Sequence, residues 1–335
     1  MRAHPDVLVY VGVDLVGDGL IKLPFVQALR GAYPSGTITW LAGRGPSVFG
    51  SVLAPLVVGL IDEVVDHPGQ QHKMAWREHR SLRKRRFDVI FDTQRGVLTT
   101  LALRRMRPGL FLSGSVNFLL SDRRPTRNHA RPLAVVQQLL QLLELATGQS
   151  QTTQPVLRLD AAMTGLAERL LPRGPAHVAI APGAGGRHKI WPIANFIDVA
   201  QSLASSGHVP VWLLGPDELR LYEQLRNIPC SAQFPLQNPA AMAYDFRPDL
   251  TIAVAARCLA GLANDSGCGH MMAAAGIPVV RLFGPTDPAK FAHSSGRSIV
   301  INALDWGGAS MSSIPVEAVL AALTRAVANR ASVPA

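Results

Sequence analysis

The residues best equipped for chemistry lie in the run Asn264-Asp265-Ser266-Gly267-Cys268-Gly269-His270. Asp265 and Ser266 are strong helix N-cap types, and the small apolar stretch Met271 to Gly276 behind them reads as a buried helix. A hydroxyl and two glycines at a helix start leave backbone N–H groups free to hold an anion, such as a nucleotide phosphate. His270, one turn in, either meets that phosphate or packs; its position alone favours neither. Upstream, Thr251 to Leu262 reads as a helical run, and downstream Pro278 to Phe283 reads as a buried strand ending in the turn Gly284-Pro285-Thr286-Asp287.

Other candidates sit where strand-like runs end. Asp18, in Gly17-Asp18-Gly19, is placed to take a proton from a substrate hydroxyl, and its bland alternative is an N-cap ahead of Leu20. Asp14 competes for the same role if the turn starts earlier. Lys189, in His188-Lys189-Ile190-Trp191-Pro192, can balance phosphate charge, and Trp191 beside it reads as packing. Glu218, after Gly215-Pro216-Asp217, is a candidate for ribose hydroxyls, and Thr286 for a sugar pocket. Arg95 ends the run Phe87 to Asp92-Thr93-Gln94 and suits a phosphate or carboxylate. No Asp-x-Asp pair occurs, so a divalent ion on a diphosphate has no familiar holder, and metal is not expected to be essential. Cys230, Cys258 and Cys268 show no ligand spacing, and Cys268 reads as a space-filler.

Elements of α/β type must position these groups. Strands are expected at Val7–Val13, Thr37–Ala42, Val57–Val65 (its end), Phe87–Asp92, His177–Ala181 and Val209–Leu214. Helices are expected at Leu20–Arg30, Ser47–Leu53, His72–Arg86, Arg131–Thr147, Ile193–Ser206, Glu218–Arg226 and Pro315–Ala328. Leu171-Pro172-Arg173-Gly174-Pro175 marks a linker. The 335 residues, 48% of them hydrophobic, suit two domains. These are 1–172 and 173–313, with 314–335 a closing helix. Two open, mostly parallel domains facing across a cleft are the natural arrangement, with ligands at the carboxyl ends of strands. No run reaches bilayer length and no secretory leader is evident, which reads as cytoplasmic.

The net charge of +10 is uneven: residues 1–150 hold 19 Lys/Arg against 11 Asp/Glu, the remainder 14 against 12. A basic N-terminal half attracts phosphorylated lipid or an anionic membrane surface. Nucleic acid is disfavoured, since the basic residues are not interleaved with stacking aromatics.

Four blocks together resemble glycosyltransferase family 9, the ADP-heptose–lipopolysaccharide heptosyltransferases. They are Val16 to Pro24, Phe87 to Gly96, Ala181-Pro182-Gly183-Ala184 with His188 to Pro192, and Asp265 to Asp287. The resemblance implies a GT-B fold, two Rossmann-like domains with acceptor in the N-terminal one and nucleotide sugar in the C-terminal one. It implies that Asp18 is the general base and that Lys189 contacts the donor, and it fits Ser266, Gly267, Asp265, His270, Glu218 and Thr286 around an ADP-sugar and Arg95 on the acceptor. A single base favours inversion at the anomeric carbon. The acceptor would be an anionic lipid-linked or oligosaccharide glycan, met peripherally at the inner face of a Gram-negative inner membrane. A GT-B sugar-nucleotide epimerase and a non-catalytic binding relative are the competing readings. Arg281, inside an otherwise apolar strand, and Asp14-Leu15-Val16 depart from the family pattern.

Overall fold

The structure, a computed structural model, describes residues 3–66, 82, 85–126, 131–150, 157–290 and 297–331. It separates into two compact units, 1–156 and 157–335. The division falls ahead of the expected boundary at 172. Helix Ala161–Leu170 buries Met163, Leu166 and Ala167 in a core shared with helix Pro248–Ala255, so the Leu171–Pro175 segment lies inside the second unit. The closing helix, Val316–Ala331, also belongs to the second unit and packs on its strands and on helix Ile193–Ser205.

In the first unit five strands, β1 (Asp6–Val11), β2 (Thr37–Ala42), β3 (Glu63–Val65), β4 (Val89–Asp92) and β5 (Leu110–Ser113), pair in parallel in the order β3-β2-β1-β4-β5. β1 is central, with Val7 opposite both Ile38 and Val89. Val7, Leu8 and Val9 are fully buried, which is why this strand reads as a continuous apolar run and not as an alternation. β1 ends before the expected Val13, and helix α1 (Val16–Ala32) starts four residues ahead of Leu20. Gly17-Asp18-Gly19 is therefore a first helical turn, and the N-cap is Leu15. Ser47–Leu53 forms only a short 3-10 turn, Val48–Gly50. The helix expected from Arg131 begins at Val135 and ends at Gly148, which takes the left-handed conformation at φ 74°. Most of the basic segment 72–86 lies outside the described residues.

The second unit repeats the plan with β6 (His177–Ala181), β7 (Val209–Trp212), β8 (Ala260–Asn264), β9 (Val279–Phe283) and β10 (Ser298–Asn302), parallel in the order β10-β9-β8-β6-β7. Two apolar clusters cover its faces, one around Trp191, Trp212 and Leu262, the other around Ala179, Leu250 and Met272. Here Thr251 to Leu262 is not one helix. The helix ends at Ala255 and Ala260 opens β8, whose five residues are all buried. A fully buried apolar strand has no alternation to separate it from a buried helix. Glu218–Arg226 is likewise broken, into a 3-10 turn Pro216–Leu221 and a short helix Tyr222–Arg226.

Candidate functional site

In each sheet the strand order turns beside a central pair, β1/β4 in the first unit and β6/β8 in the second. A crevice at the carboxyl ends of such strands is where open α/β sheets take ligands.

In the second unit the loops after β6, β7 and β8 line a pocket of about 210 Å³ whose walls include Gly183, Ala184, Gly185, Glu218, Ser266 and Gly267. Ser266 caps helix α2 (Gly267–Ala274), its Oγ accepting from the Gly269 N–H at 3.3 Å. The first N–H groups of that helix have no intrahelical acceptor, so the positive end of its dipole opens on the pocket. Glu218 packs against Gly183: a Cβ there would fall 2.3 Å from Glu218 Oε1, so a larger residue would displace that carboxylate. Glu218 Oε2 accepts from the Gly215 N–H at 3.1 Å, and burial raises its carboxyl above the usual range. Asn264 ties the loops together, donating to the Pro182 carbonyl at 2.7 Å and accepting from the Trp191 N–H at 3.1 Å. Trp191 is packing, as its sequence context indicated: it is fully buried and its Nε1 donates to the Ile314 carbonyl at 3.0 Å.

Asp265 is the hub. Its Oδ2 accepts from Lys189 Nζ at 3.1 Å and from Thr286 Oγ1 at 3.0 Å, while its Oδ1 accepts from Arg281 Nη2 at 3.2 Å. Arg281 reaches this point from the middle of β9 with no solvent exposure, whereas the Lys189 side chain keeps 27% of its surface. The same Arg281 Nη2 lies 3.1 Å from His270 Nε2. A guanidinium only donates, so Nε2 is the acceptor and the ring proton sits on Nδ1. Burial and the neighbouring Arg281 push His270 down to about 3, and the ring is neutral. The cluster of Asp265, Lys189 and Arg281 thus carries one net positive charge beside the helix start. Cys268, whose thiol burial pushes up to about 12, stays protonated and fills space.

In the first unit the two candidate acids part company. Asp14 is 3% exposed and accepts from Lys22 Nζ at 2.5 Å, Trp40 Nε1 at 2.9 Å and Ser47 Oγ at 2.7 Å. Asp18, at the third position of α1, is half-buried, and among the described residues its carboxylate accepts only from the Leu15 N–H, at 3.4 Å. A first-turn carboxylate is favoured by the helix dipole and keeps its oxygens open to a hydroxyl. Across the β1/β4 junction Gly12 accommodates the Gln94 amide, which would stand 2.8 Å from a Cβ. Asp92 is spent internally on Thr100, Ser113 and the Gln94 N–H. Arg95 donates to Gln138 Oε1 at 2.6 Å, and Arg131 donates to the same oxygen at 3.0 Å.

The structure therefore gathers Lys189, Thr286 and Arg281 around Asp265, joins His270 to Arg281, and sets Ser266, Gly267 and Glu218 on the adjoining pocket. Asp18 and Arg95 belong to the first unit. Sequence reasoning noticed Arg281 only as an oddity. A charge inside a buried strand demands a buried partner, and the structure supplies Asp265 in that place. Arg131 with Gln138 carried no such signal, because their meeting with Arg95 depends on tertiary packing.

Two five-stranded parallel sheets flanked by helices, with a glycine-lined pocket where the second sheet's order turns, define a GT-B-like protein of two Rossmann-like domains. The model of glycosyltransferase family 9 (heptosyltransferase) matches residues 75–311, and the chain belongs to that family, an enzyme of glycosyl transfer. Lipopolysaccharide heptosyltransferase 2 of Escherichia coli strain K12 is 26% identical over 307 residues, spanning 84% of this chain and 83% of that protein. Among solved structures, the glycosyl transferase family 9 protein of Veillonella parvula superposes with a TM-score of 0.72 at 18% identity, over 97% of each chain. The E. coli ADP-heptose lps heptosyltransferase II superposes with a TM-score of 0.65 at 20% identity, over 98% of this chain and all of that one (100%).

Proposed function

We propose that this glycosyltransferase moves a heptose or related sugar from an ADP-sugar to a lipopolysaccharide-core or similar glycan, with inversion at the anomeric carbon. The observation that carries this reading is the cationic Lys189–Asp265–Arg281 cluster beside the α2 start, where a leaving diphosphate needs compensation. Asp18 takes the proton of the acceptor hydroxyl as its oxygen bonds the anomeric carbon. The bond from that carbon to the diphosphate breaks with its electron pair, and ADP departs towards the N–H groups of Gly267 and Cys268 and the Lys189 ammonium. Glu218 is assigned to the ribose hydroxyls, Thr286 to the sugar pocket, and Arg95 with Arg131 to an acceptor phosphate or carboxylate. Because protein cations and a helix dipole cover the diphosphate, the reaction needs no metal. The name of the E. coli relative, a lipopolysaccharide heptosyltransferase, supports the choice of a lipopolysaccharide acceptor, and action at the inner face of an inner membrane belongs to the same proposal.

Calorimetric titration with ADP, UDP, GDP and CMP, with and without a chelator, tests the donor half of this reading. ADP-selective binding that survives chelation supports it. Preference for another nucleotide overturns the donor, and no binding of any nucleotide overturns the site.

A further inference from the structure

The side of the first unit where β4 and β5 end carries an unusual concentration of exposed apolar groups. Val97, Leu98 and Leu101 rise from helix Val97–Arg104, Val116 and Leu119 from the loop after β5, and Leu133 from the approach to helix Val135–Thr147. Leu98, Leu119 and Leu133 are 81%, 57% and 69% exposed. Hydrogen bonds stitch these segments into one surface. Ser115 Oγ donates to the Arg95 carbonyl, Arg104 to the Leu120 carbonyl, and Arg95 to Gln138 Oε1, whose own amide donates to the Leu133 carbonyl.

Strain is spent in shaping it. Val116, Asn117 and Phe118 are three successive non-glycine residues in the left-handed region, at φ 47°, 50° and 64°. Such residues cost about 1–2 kcal/mol apiece and persist where the surroundings hold them. Here Phe118 is buried as an anchor while Val116, which opens the strained run, and Leu119, just after it, face solvent.

The rim of the surface is basic. Arg104 is paired with Asp122 at 2.7 Å, but among the described residues no carboxylate meets Arg95, Arg105, Arg124 or Arg131. Leu98, Leu101 and Arg105 follow one another at helical spacing, so apolar and cationic groups share a face. Exposed leucines bordered by uncompensated guanidinium groups match an anionic bilayer: alkyl groups enter the acyl boundary while cations stay at the phosphates. A second copy of the chain fits poorly, because a two-fold contact through this patch sets the same arginines against each other. Nucleic acid finds no exposed aromatic here on which to stack.

We propose that this surface, centred on Leu98, Leu119 and Leu133 and rimmed by Arg105 and Arg124, docks the first unit on an anionic lipid bilayer. The proposal deepens the reading given above, since it names the surface that would bring Arg95 to a lipid-linked acceptor. Its test needs no turnover. The full chain is sedimented with vesicles of phosphatidylcholine alone, or of phosphatidylcholine mixed with phosphatidylglycerol, at low and high salt.

The expected result is binding to the anionic vesicles only, released by salt. R105Q should weaken it about fivefold, the worth of one cation near such a surface. L98Q/L133Q should weaken it about tenfold or more through lost apolar insertion. Thermal melting and ADP titration of these variants should match the parent chain, since neither residue set enters the core or the second unit's pocket. Equal binding to neutral vesicles, no vesicle binding, or undiminished binding by both variants overturns the proposal. So does a dimer in sedimentation velocity that L98Q/L133Q dissociates. Vesicle binding without ADP binding leaves the docking surface standing and removes the donor reading instead.

Discussion

Asp14 follows β1 in the first unit and Asp265 follows β8 in the second; both are buried, and both accept from three side chains. Around Asp14 the three are one lysine, an indole and a hydroxyl, so the charges of Asp14 and Lys22 cancel and the group is closed. Around Asp265 two are cations, Lys189 and Arg281, and one of them reaches solvent. The same carboxylate serves in one unit to lock a loop and in the other to hold a surplus positive charge in place. The two carboxylates are alike in burial and differ in the number of cations around them, one at Asp14 and two at Asp265. Asp18, four residues beyond Asp14, accepts among the described residues only from the Leu15 N–H.

The sharpest way to break this comparison is to remove both first-unit acids in turn. Asp14→Ala leaves the buried Lys22 unpaired and should cost about 3–5 kcal/mol in urea denaturation. Asp18→Ala should move that stability by no more than about 0.5 kcal/mol while lowering turnover about 10²–10⁴-fold. Similar destabilisation by the two would make both acids structural. In the second unit, Lys189→Ala removes the exposed cation and should weaken ADP binding about 10–100-fold by calorimetry, the range for a charged hydrogen bond. Unchanged affinity would take Lys189 out of the site.

A finer cut compares Arg281→Met, Asp265→Asn and the double variant by urea denaturation. The double should be less destabilised than the sum of the singles by about 1–3 kcal/mol, whereas additivity would mean that the 3.2 Å contact carries no coupling. The smallest effect is a slope. Because the folded-state His270 sits at about 3, below the ordinary 6.5, the unfolded chain binds its proton first as pH falls. Stability from this group is intact above about 6.5 and is lost on acidification towards about 3, by up to about 1.4 kcal/mol per pH unit. His270→Gln should show a correspondingly flatter profile over that window, and parallel profiles would mean that His270 is not held neutral.

Much of this was legible in the residues. β2 and β6 begin and end where their apolar runs do, at Thr37 and Ala42 and at His177 and Ala181, because turn residues and buried faces agree there. Ser266 declared itself as a cap. β8 did not: between Ala255 and Ala260 no glycine or proline marks the break, so Ala260-Gly261-Leu262-Ala263 continued the helical pattern. β5 and β10, of four and five residues, had no expected counterpart. The start of α1 was misplaced because Leu15 is a poor cap by type. The chain turns there since Asp14 is held by side chains 8, 26 and 33 residues further on. Distances of that kind in sequence are what a local reading lacks, and the Asp265–Arg281 pair, 16 apart, escaped for the same reason.

That each unit is one unbroken stretch of chain has a consequence during synthesis. All five strands of the first sheet have been made by residue 113, and its last described helix by residue 147, before any strand of the second sheet has been translated. Domains folding as units behind the ribosome can then complete the acid-bearing half first, without waiting for a partner strand from the far end of the message. The second unit follows under the same rule. Neither half is held open for a late segment of the other, which shortens the interval in which a parallel sheet stands with unpaired edges.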